Sequence, residues 1–66
     1  MKLSDFKPVN GGSQELFTLF VSMDGGKTWS RSTVRSVLAG VTGPANNLMK
    51  RRKITHYVVA RGEWEA

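Results

Sequence analysis

Residues 22–29 read Ser-Met-Asp-Gly-Gly-Lys-Thr-Trp, "SMDGGKTW". Whether they wrap a phosphate, hold calcium or only turn the chain decides the fold on either side. Gly26-Lys27-Thr28 has the ending of a Walker phosphate loop, but that loop needs an earlier glycine where this chain has Val21. A calcium loop of the EF-hand kind spaces several oxygen ligands along its length; here Asp24 stands alone among Gly and Lys. A turn remains. Phe17, Leu19 and Val21 alternate with Thr18, Phe20 and Ser22 at the period of a strand. Asp24-Gly25-Gly26 then supplies positive-φ positions without a Cβ penalty, and Thr28-Trp29 resumes a strand-like composition.

The same eight residues resemble the Asp-box, S-x-D-x-G-x-T-W, through Ser22, Asp24, Gly26, Thr28 and Trp29. That motif is a hairpin turn of sialidase-type propeller blades and of some unrelated small proteins. In it the Asp and Ser brace the turn and the Trp packs underneath. A propeller stacks several four-stranded blades, which this chain is too short to build, so the resemblance implies a structural hairpin and no glycosidase. A rival reading starts a helix at Ser13-Gln14-Glu15, with Leu16, Phe17, Phe20 and Met23 on one side. The hairpin is favoured; the helix is the alternative for residues 14–31.

Sixty-six residues make one small domain. Residues 1–12 end in Pro8-Val9-Asn10-Gly11-Gly12 and read as a flexible N-terminal arm, leaving 13–66 as the folded unit. The absence of Cys excludes disulfides and thiolate metal sites, and one histidine, His56, cannot hold a metal alone. No apolar run approaches a membrane span and the N-terminus lacks a signal-type apolar core. The expectation is a cytoplasmic protein with no membrane, metal or small-molecule cofactor. Asp5, Glu15, Asp24, Glu63 and Glu65 show no spacing of a paired acid and base, so an enzyme is not expected.

The net charge is +5. Residues 1–27 are balanced, so the whole excess comes from Arg31, Arg35, Lys50, Arg51, Arg52, Lys53 and Arg61, set against Glu63 and Glu65. Such asymmetry is the footprint of an anionic partner. Around these cations, Ser30–Thr33 offers helix caps, and Val34, Val37, Leu38 and Val41 have the i, i+3, i+4, i+7 spacing of an amphipathic helix. Ala39-Gly40 would end it. Thr42-Gly43-Pro44 would start a second helix, with Ala45, Leu48, Met49 and Arg52 on one face and Asn46, Asn47, Lys50, Arg51 and Lys53 elsewhere. The macrodipole accounts for one or two terminal cations, not four in a row. Residues 54–60 read as a strand, Arg61-Gly62 as a tight turn and Glu63-Trp64-Glu65 as a return strand.

In that order, residues 33–64 resemble a winged helix-turn-helix, "TVRSVLAGVTGPANNLMKRRKITHYVVARGEW". The implied fold is α+β: a helix-turn-helix pair followed by a short β-hairpin wing. The resemblance implies DNA binding by a small transcriptional regulator of the phage or mobile-element type. Asn46 and Asn47 would meet base edges and Lys50–Lys53 the phosphates. Arg61 would sit at the wing tip, and Arg31 and Arg35 would flank the backbone. A homodimer is compatible with so small a reader. The alternative is an inhibitor or adaptor docking on a host enzyme such as RNA polymerase, with Trp29, Tyr57 or Trp64 as contacts.

Overall fold

A computed structural model describes residues 1–65. After a 3-10 turn at Leu3–Asp5 come β1 (Lys7–Pro8), β2 (Phe17–Ser22), β3 (Ser30–Arg35), α1 (Ala39–Lys50), β4 (His56–Arg61) and β5 (Trp64–Glu65). β2 is the middle strand of an antiparallel sheet ordered β3-β2-β4, and β1 pairs separately with β5.

β2 is central because both its faces are covered: Thr18, Leu19, Phe20 and Ser22 are all buried. Phe17, Leu19 and Val21 point to one side, where they meet Val41 and Ala45 of α1 and Tyr57 and Val59 of β4. Leu19, Val41 and Ala45 are fully buried. On the other side Phe20 stacks at a tilt on Phe6, with ring centroids 4.6 Å apart, and meets Trp64 edge-on. Residues 1–12 therefore bring a buried aromatic to this second face. Thr18 is also buried there; its hydroxyl donates to the Gly62 carbonyl (2.8 Å) and accepts the Trp64 N–H (3.2 Å). An open apolar groove of about 520 Å³ runs along this face between Leu3, Phe6 and Trp64 on one wall and Val58 and Ala60 on the other.

The helix-turn-helix pair and its wing do not form. Residues 17–35 fold as a hairpin, so Ser30–Arg35 is a strand laddered to β2, with a bulge opposite Leu19/Phe20. The apolar stripe read as a first helix is thereby split. Val34 pairs with Thr18, Val37 and Leu38 are exposed, and of the four only Val41 enters the core. A single helix then runs through Gly40 and Gly43-Pro44, where a stop and a restart were expected. Gly40 is a packing glycine: a Cβ there would lie 3.2 Å from the Cβ of Arg35. Pro44 costs α1 one backbone hydrogen bond, which burial of Val41 and Ala45 offsets. Finally, Trp64–Glu65 pairs with Lys7–Pro8 and not with β4. Gly62 (φ +92°) turns the chain away from the sheet plane, a conformation that favours glycine.

A candidate anion-binding end

β4 begins at His56, opposite Ser22 at the end of β2. The turn at residues 23–29 and the segment after α1 thus share one end of the sheet. The turn is braced by its own side chains. Ser22 Oγ donates to Asp24 Oδ1 (2.8 Å) and accepts the Gly26 N–H (2.9 Å). Asp24 Oδ1 also accepts the N–H groups of Lys27 (3.1 Å) and Thr28 (2.9 Å), while Oδ2 accepts the Thr28 hydroxyl at 2.5 Å. The Trp29 indole N–H closes on the Gly26 carbonyl (2.9 Å). Thr55 clips the segment after α1 onto the turn. Its hydroxyl accepts the Gly25 N–H (2.8 Å) and its own N–H donates to the Ser22 carbonyl (2.8 Å).

These donors hold the Asp24 carboxyl well below its ordinary value of 3.8. The Thr28 hydroxyl contributes most, followed by the Thr28 N–H and the Ser22 hydroxyl. The folded state therefore favours the ionised form, and the sign follows by linkage. The stabilisation is complete above pH ~4 and fades as the pH falls through the lowered folded value. Thermal melts of wild type and Asp24→Ala should differ at pH 7, and the gap should begin to narrow below pH ~4 and keep narrowing as the pH falls toward the lowered folded value. A gap independent of pH would mean that the carboxylate does not brace the turn.

α1 ends in a Schellman arrangement. The Arg52 N–H donates to the Met49 carbonyl (3.1 Å) and the Lys53 N–H to the Leu48 carbonyl (2.9 Å). Arg52 itself is left-handed, with φ 57°, where glycine is the usual residue. Lys50, Arg51, Arg52 and Lys53 are all exposed. None of their side chains has a hydrogen-bond partner among the described residues. Lys27, on the turn, is exposed at the same end. The row thus projects four cations from a backbone pinned by Thr55 and by burial of Ile54. Arg52→Gly should raise stability by about 1 kcal/mol in urea titrations by relieving the left-handed conformation, and should weaken anion binding.

The other predicted site residues lie elsewhere. Asn46 and Asn47 are exposed in the middle of α1, and Asn46 Oδ1 accepts the Tyr57 hydroxyl (3.3 Å). Arg35 and Arg61 both pair with Phe17, at the far end of the sheet, about 17 Å along the strands from Ser22. Arg61 lies over the Phe17 ring, and its Nε–H donates to the Gln14 carbonyl (3.1 Å). Arg35 donates to the Val34 carbonyl (2.8 Å). Arg31 is on the second face, donating to the Trp64 carbonyl (2.8 Å). The seven cations do not form one surface: four gather beside the turn, two sit at the opposite end and one lies behind.

Sequence reasoning missed Lys27 and Thr55. Lys27 was read only as part of a turn and Thr55 only as part of a strand; their meeting depends on β2–β4 pairing, which leaves no local mark. Among the described residues no group of three or more His, Asp or Glu side chains is placed to hold a metal, and no helix is long and apolar enough to cross a membrane. No protein-family model, curated protein or solved structure matches the chain.

Proposed function

We propose that the protein binds the phosphate backbone of duplex DNA with the end of α1, through Lys50, Arg51, Arg52 and Lys53, with Lys27 alongside. One observation carries this reading: four consecutive cations stand exposed on a pinned helix end, one of them at a position where glycine would be less strained. Point charges of this kind position a polyanion without reading its sequence. Asn46 is engaged by Tyr57, and the described residues hold no helix-turn-helix to present a recognition helix, so the contact is expected to be weakly specific. Any role in regulating transcription would rest on that contact plus a further source of specificity. The apolar groove on the opposite face favours a second reading, a protein contact, and the two surfaces are separate enough to coexist.

Fluorescence anisotropy with labelled duplex DNA tests the proposal, using wild type and the variant with Lys50, Arg51, Arg52 and Lys53 all replaced by Ala. Wild type should bind in a salt-dependent way and the variant should not. Equal binding by the two, or none by either at low salt, removes the reading. Tighter binding to single-stranded RNA than to the duplex would move the target to RNA.

A further inference from the structure

The sheet has two outer edges, and they are unlike. The β3 edge carries Arg31 and Arg35, is polar at Ser30, Ser32 and Thr33, and is kinked by the bulge. Charge and bulges are the devices that blunt an edge against pairing. The β4 edge has no bulge and is charged only at its end, by Arg61: Tyr57-Val58-Val59-Ala60 is uncharged and regular, and among the described residues no strand pairs with its outer side. Val58 and Ala60 of this strand also line the groove of the second face.

We propose that β4 pairs antiparallel with β4 of a second copy, joining two three-stranded sheets into one of six strands. Antiparallel pairing about a two-fold axis suits a sheet edge because the same N–H and C=O groups serve both partners. The favoured register sets Val59 opposite Val59 of the second copy. Val58 then faces Ala60 of the second copy, and their side chains make the two grooves one continuous apolar surface. On the helix face Tyr57 lies across from Arg61 of the second copy, a ring opposite a guanidinium, which is a favourable cross-strand pair. The antiparallel sense also sends the two rows at residues 50–53 to opposite ends of the assembly, which limits repulsion between copies that each carry +5. A second copy is the occupant these features fit: an unpaired, regular edge offers its own N–H and C=O groups to an antiparallel copy, and Val58 and Ala60 continue its apolar groove.

Sedimentation equilibrium over a wide concentration range tests this on the full chain. Wild type should rise from monomer mass to twice that mass. Val58→Lys, which puts a charge at a partly exposed position on the groove wall, should stay monomeric with its circular dichroism spectrum unchanged. Hydrogen exchange on wild type supplies a readout free of any variant. Amides of residues 57–61 should slow as concentration rises, while those of 30–35 should not. A monomer at every concentration overturns the proposal. So does a dimer that Val58→Lys leaves intact, or one whose concentration-dependent protection falls outside β4.

Discussion

Leu19→Ala is expected to leave the protein largely unfolded at room temperature. Leu19 is fully buried where β2 meets Val41 and Ala45, in a core with few other wholly enclosed side chains. A buried Leu→Ala change costs about 2–5 kcal/mol, the upper end when the site cannot collapse. Here collapse is hindered, because the sheet is tied by two ladders and α1 touches Arg35 through Gly40. A domain of this size has only about 3–10 kcal/mol of stability to lose. Urea titration followed by far-UV circular dichroism should show little or no folded baseline for Leu19→Ala. Met23→Ala, at a residue 73% exposed on the turn, should stay within about 0.5 kcal/mol of wild type. A cooperative, near-native transition for Leu19→Ala would mean that the helix–sheet core is not what holds the fold.

Removing the four cations at 50–53 should have the largest effect on binding. If each neutralises one phosphate, the slope of log K against log salt for wild type is roughly −3 to −4. Affinity should then fall about a hundredfold between 50 and 200 mM salt. Each single Ala variant should flatten the slope by about 1, and the fourfold variant should show no measurable binding. Arg35→Ala and Arg61→Ala serve as controls, since those side chains lie at the far end of the sheet and are held by backbone carbonyls. Losses for these two as large as for Arg51→Ala would relocate the contact away from the helix end.

The turn could be read from residues 22–29 because its information is local. Ser22, Asp24 and Thr28 hydrogen-bond within the motif, and Gly25 and Gly26 carry the positive φ angles. The helix-turn-helix reading erred for the opposite reason. Val34, Val37, Leu38 and Val41 fit helical spacing, yet the partner that draws residues 30–35 into a strand is β2, which the turn at 23–29 brings alongside. Gly40 looked like a terminator, whereas its lack of a side chain serves a close approach to Arg35. β5 falls within the strand read at Glu63-Trp64-Glu65, but two residues carry no local mark of their partner, which is β1 and not β4. Of the candidate site, the row of cations was visible in composition. Its neighbourhood with the turn was not, since that depends on pairing Ser22 with His56. Nor does the sequence mark Arg52 as left-handed, where Gly or Asn would have been the cue.

The Thr18 hydroxyl ties the middle of β2 to Gly62 and Trp64, more than forty positions further along. During synthesis the ribosome delivers β2 and β3 early, so that hairpin can assemble at once. Its second flank and the cover over Phe20 must wait for residues 56–64. Until those are made, an unfinished apolar strand stands open, and maturation of the fold is timed by the emergence of residues 56–64.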